Sequence, residues 1–88
     1  MAEPSTMFAY SPMAPSDNCF AIVPSDTVAL PTVTKGIYVG TGGDIVLRSA
    51  QGQTDVAFRN VPSGGIIDIR AIAVRLTGTT AADLVGLA

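Results

Sequence analysis

"KGIYVGTGGDIVLRS", residues 35–49, decides the fold class. Apolar side chains recur at every second position in two short runs: Ile37 and Val39 against Tyr38, then Ile45 and Leu47 against Val46 and Arg48. That alternation marks strands with one buried face, because successive side chains of an extended chain point to opposite sides. Between the runs, Gly40, Gly42, Gly43 and Asp44 supply turn chemistry. The stretch reads as two strands joined by a glycine turn, a hairpin. A phosphate loop would need those glycines to open a helix whose N–H groups meet the phosphate. The glycines lead instead into "IVLRS", a strand pattern without a Lys-Ser/Thr pair, so they are scaffold.

The same grammar runs outward in both directions. Upstream, "AIVPSD" and "VALPT" are short extended pieces broken by Pro24 and Pro31, and Ser25 and Asp26 read as a turn after Pro24. Downstream, "SAQGQ" turns, with Gly52 the expected positive-φ residue. "TDVAFRNV" then sends Val56 and Phe58 inward and Ala57 and Arg59 outward, and "NVPSGG" turns again. Turns at such short, regular spacing predict an all-β fold, a small β-barrel or β-sandwich.

The run "GIIDIRAIAVRLTG", residues 65–78, changes phase. Ile67 and Ile69 share one parity, whereas Ile72, Val74 and Leu76 share the other. A period-2 strand cannot bury both sets on one face. A bulge near Arg70–Ala71 would re-aim the strand and bury Ile67 and Ile72 in one core. The alternative is a strand covered on both faces, which requires a partner. Asp68 and Arg70 read as a charge ladder on a strand face. The closing "TGTTAADLVGLA" reads as a final strand, with Leu84 and Gly86 on one side and Val85 and Leu87 on the other; a short helix capped by Thr80 and Asp83 is the competing reading.

Composition bounds the function. Of 88 residues, 48% are hydrophobic and 14% charged, with a mean hydropathy of +0.45. Globular chains carry about 25% charged residues, so much of this surface is apolar or neutral and suits contact with other protein. The net charge is −2, and the basic residues Lys35, Arg48, Arg59, Arg70 and Arg75 are scattered. Nucleic-acid binding needs a basic stripe, so none is expected. No apolar run approaches the ~20 residues of a membrane helix. The start "MAEPSTMFAYSPMAP" has no signal-peptide pattern, which predicts synthesis in the cytoplasm.

Chemistry is sparse. There is no histidine, which removes the commonest general base and zinc ligand. Cys19, the lone cysteine, reads as a small buried hydrophobe in "NCFAIV". Asp44, Asp55, Asp68 and Asp83 are spread over separate turns and strands. The chain reads as no enzyme, with no catalytic residue, cofactor or metal site.

Residues 1–23 differ from residues 24–88. The first segment is rich in proline, methionine and aromatic residues. Proline fixes φ and removes donors, whereas a disordered tail would lack the aromatics. The expected organisation is therefore an extended N-terminal arm, 1–23, and a β domain, 24–88. Met7, Phe8, Tyr10 and Met13 are the arm's candidate partner-binding residues.

One ordered succession carries further information: "PSDTVALP", "KGIYVGTGGDIVL", then "VAFRNVPSGGIIDIRAIAVRLTGTTAADLVGL". It resembles the head spike base proteins of gene transfer agents and related tailed phages, from about Pro24 to Leu87. The resemblance implies a virion structural protein on the capsid exterior that attaches a head spike or fibre. Its implied partners are the major capsid protein, a distal spike or fibre protein, and copies of itself, with a pentamer favoured over a trimer. A capsid cement or decoration protein at threefold or quasi-threefold sites suits the same composition. A small receptor- or glycan-binding module is a further alternative, with Tyr38 as the exposed aromatic of the β body.

Overall fold

The computed structural model describes residues 15–88, and in them seven strands and no helix. These are β1 Cys19–Ala21, β2 Gly36–Thr41, β3 Gly43–Ser49, β4 Val56–Val61, β5 Ile66–Ile67, β6 Ala71–Val74 and β7 Ala82–Leu87. They form two antiparallel sheets, one ordered β1-β7-β2-β5 and the other β4-β3-β6. The sheets do not close into a barrel; the fold is a small sandwich. Pairing begins at Cys19, so β1 lies inside the segment whose prolines suggested an arm through residue 23.

The alternation read from the sequence builds the core. Ile37 and Val39 from β2 and Leu84 from β7 face Ile45 and Leu47 from β3 and Val74 from β6, all buried. The C-terminal segment is a strand, with Leu84 and Gly86 turned inward. Phe20 of β1 lies over Gly86, where any side chain would collide with its ring.

Residues 35–49 are not a hairpin. β2 and β3 do not pair; they belong to different sheets, and Gly42 is the corner between them. The glycines are needed for close approach. A Cβ on Gly42 would lie 2.5 Å from the Val61 carbonyl oxygen, and one on Gly43 would lie 2.8 Å from the Ala81 nitrogen. The expectation at Gly52 is also corrected. Positive φ occurs among the glycines at Gly43, Gly64 and Gly78, while Gly52 is tucked beneath the Ser49 hydroxyl.

The phase change at residues 65–78 has two causes. β5 pairs with β2 and β6 pairs with β3, so the chain changes sheets between Ile67 and Ala71. A register shift opposite Arg48 and Ser49 then makes Ile72 an extra residue in β6, a bulge close to the expected position. Ile67 and Ile72 are both only half-buried, so they do not share one core as a single bulged strand would require. Asp68 and Arg70 lie in the crossing, outside any strand.

Residues 22–34 close one side of the sandwich. Ile22 N–H donates to Leu84 O at the sheet of β1, then Ser25, Leu30 and Thr34 N–H donate to Val74, Ile72 and Ala71 O along β6. The Ser25 hydroxyl accepts from Thr27 and Val28 N–H, the turn expected after Pro24. Edge strands expose unpaired backbone groups, and at β6 this segment pairs them.

Candidate functional site

The two outer faces of the sandwich differ in chemistry. On β2, Tyr38 has the opposite parity to Ile37 and Val39, so it points away from the core. Its neighbours across the sheet are Val85 on β7 and Ile66 on β5, and Ala21 on β1 lies beyond Val85. One row along, Cys19 stands opposite Leu87, which stands opposite Gly36. The face is thus Cys19, Ala21, Tyr38, Ile66, Val85 and Leu87, with Asp83 of β7, over Gly40, as the charge at its end. Tyr38 is 39% exposed and Ile66 63%. The thiol of Cys19 is exposed, not buried as its apolar neighbours suggested. On edge strand β1 it is Phe20 that faces inward, so Cys19 and Ala21 must face out.

The outer face of the other sheet is polar. Arg48 and Arg75 donate from their Nε atoms to Asp55 at 3.1 and 3.2 Å. Arg59 pairs with Asp44 at 3.0 Å, and Asp44 also accepts from Asn60 N–H. Asp26 accepts from both the N–H and the hydroxyl of Thr77. These pairs are exposed and each contributes little to stability, but they make this face suited to water.

Two of these carboxylates are tuned. Hydrogen bonds from the Thr77 N–H and hydroxyl lower the pKa of Asp26 below its ordinary 3.8. Asn60 N–H, then Arg59, lower that of Asp44. A depressed folded-state pKa adds stability that is present above the unfolded value and is lost as pH falls through the folded one. Unfolding free energy is therefore expected to decline as pH drops below 3.8, and Asp26→Asn should flatten part of that decline. Denaturant titrations at a series of acidic pH values check this; an unchanged slope in the variant would refute the role of Asp26.

Among the described residues, no three His, Cys, Asp or Glu side chains gather where they could hold a metal ion. The expected arm residues Met7, Phe8, Tyr10 and Met13 lie outside the described residues.

The sandwich thus has one largely apolar outer face and one polar one. No protein-family model matches the chain, and no curated protein matches it. A chain in the solved structure "Capsid of native GTA particle computed with C5 symmetry" does match, at 33% identity and a TM-score of 0.81, over 99% of this chain and 100% of that one. This chain belongs to the family of that GTA capsid protein. The exposed apolar sheet face is the largest uncommitted surface described above. Sequence reasoning anticipated exposed apolar positions on the "IIDIRAIAVRL" run, and Ile66 is one. It missed the face as a whole, which exists only because β1, β7, β2 and β5 lie side by side.

Proposed function

We propose that this protein is a non-enzymatic virion component seated on the exterior of a GTA- or phage-like head, where a ring of copies forms the base of a spike or fibre. The match to a capsid-particle chain over the whole length carries the reading. The apolar patch of Tyr38, Ile66, Val85 and Leu87 rests on the major capsid protein, and the face of Arg48, Asp55 and Arg75 stays in water. The ordered succession from "PSDTVALP" to "TGTTAADLVGL", which resembles head spike base proteins, favours a pentameric spike base over a threefold cement protein. Closed rings of identical copies use heterologous contacts, one flank of a subunit against a different flank of the next. The receptor-binding alternative has less support, since Tyr38 stands in a flat apolar sheet.

The arm docks on another chain in this reading, and seating on the head depends on it. Phe8 and Tyr10 are anchors, with Met7 and Met13 beside them, because such side chains are unfavourable in water at ~25 cal/mol per Å² of apolar surface. The test uses full-length protein and heads lacking it. Wild-type protein is expected to decorate the heads in stoichiometric amounts, and Phe8→Ala with Tyr10→Ala to lose most of that binding while keeping its circular dichroism. Failure of the wild type to bind heads would sink the reading; undiminished binding by the double variant would sink the arm's part in it.

A further inference from the structure

Strand β4 is an open edge with unmet hydrogen-bonding capacity. Val46 O accepts from Arg75 N–H and Val46 N–H donates to the Thr79 hydroxyl, so both backbone groups of Val46 point away from β4. Ala57 stands opposite Val46. In an antiparallel ladder, both members of such a non-bonded pair turn their N–H and C=O away from each other. The Ala57 groups therefore face the free edge. Val56 and Phe58 stand opposite Leu47 and Ile45 and point to the inner layer, yet Val56 is 52% exposed and Phe58 only half-buried. Their cover is short because β5, the edge of the facing sheet, has 2 residues. Val56 and Phe58 thus stand partly uncovered beside the edge of β4, whereas the opposite flank is closed by residues 22–34.

The chain itself contains a matching strand. Pro4 and Pro12 bracket "STMFAYS", residues 5–11, a proline-free run in which Thr6, Phe8 and Tyr10 alternate with Met7 and Ala9. β-Branched and aromatic residues at one parity suit a half-buried strand, and the run is as long as β4. The described chain enters the fold at the β1 edge, where Ser16 Oγ and Asp17 N–H donate to Ala88 O. From Pro15 back to Tyr10 the chain spans at most about 17 Å. The opposite flank of the same copy is about 18 Å away in a straight line, three strand spacings across and one sheet spacing down, so the flank of an abutting copy is the nearer one. The β1 and β6 edges share one flank, joined by residues 22–34, and β4 and β5 share the other, joined by the turn at Pro62–Gly65. In a heterologous ring one flank abuts the other, and the arm of one copy emerges beside β4 of the next.

We infer that residues 5–11 of one copy add as a strand to the free edge of β4 in the neighbouring copy, with Thr6, Phe8 and Tyr10 packing against Val56 and Phe58. The inference rests on the proposed ring and names what laces it. Strand addition supplies main-chain hydrogen bonds for affinity and side-chain pockets for specificity.

Two full-length populations test it, both carrying Cys19→Ser. One carries Ala57→Cys; the other carries Met7→Cys, Ala9→Cys or Ser11→Cys, the parity that faces outward beside Ala57. After mixing, assembly and mild oxidation, a covalent dimer of unlike copies is expected for at least one arm position, and from neither population alone. In addition, Ala57→Pro removes only the edge-facing N–H, a change that edge strands tolerate. It should abolish the ring species in light scattering while the circular dichroism is retained. Rings that form but give no mixed dimer overturn the inference, as do rings that persist with Ala57→Pro. Wild-type rings that bind heads without the mixed dimer would leave the proposed function standing; the mixed dimer without head binding would do the reverse.

Discussion

Thr34→Val is expected to lower the unfolding free energy by about 2–6 kcal/mol, since it leaves one buried and one part-buried backbone group unpaired at about 1–3 kcal/mol each. Thr34 is fully buried. Its hydroxyl donates to Ile69 O at 2.9 Å and accepts from Ala71 N–H at 3.0 Å, while its own N–H donates to Ala71 O at 3.1 Å. These three bonds hold the point where the chain leaves one sheet for the other. Valine keeps the shape and removes the hydroxyl, so packing is preserved and the loss reports on hydrogen bonding. Domains of this size are stable by about 5–10 kcal/mol, so the variant should be partly unfolded at moderate temperature. Thr34→Ser restores the hydroxyl and should recover most of the loss in chemical denaturation. A valine variant as stable as the wild type would show that the hydroxyl's two bonds do not hold this crossing.

Thr34 also shows which parts of this fold were legible beforehand. Nothing around it in "PTVTKG" marks a buried hydroxyl, because its partners are Ile69 and Ala71, more than thirty residues away in sequence. The local rule was readable: Ile37, Val39, Ile45, Leu47 and Leu84 alternate as strands must, and they are the core. Pairing was not. "YVGTGGDIV" looks the same whether its glycines turn a hairpin or a corner, and only the crowding of Gly42 by Val61 O distinguishes the two. The phase change after Ile69 was visible, but a bulge and a change of sheet both invert parity, and here both occur. Cys19 was misplaced because three residues of an edge strand have no periodicity of their own; register against Leu87 sets which way they face. Val56 had its direction read correctly and its exposure missed, since exposure depends on the shortness of β5.

The apolar face gives the largest expected effect on assembly. Tyr38→Asp with Ile66→Asp should reduce binding to heads by about 10³-fold or more, since an uncompensated charge buried at an interface costs several kcal/mol and about 1.4 kcal/mol is tenfold. The fold should survive, because both side chains point away from the core and Ile66 is 63% exposed. Exposed substitutions of this kind usually change stability by less than about 0.5 kcal/mol. Arg59→Ala on the polar face is the matched control: its side chain is 71% exposed and its pair with Asp44 is a surface one, so binding should stay as it was. Co-sedimentation with heads, alongside thermal melts of each variant, separates the outcomes. If the aspartate variant melts like the wild type and still binds, the Tyr38 face looks into solvent in the particle. The protein would then be seated through its polar face, opposite to the proposed orientation. If Arg59→Ala loses binding and the aspartate variant does not, that reversal is established.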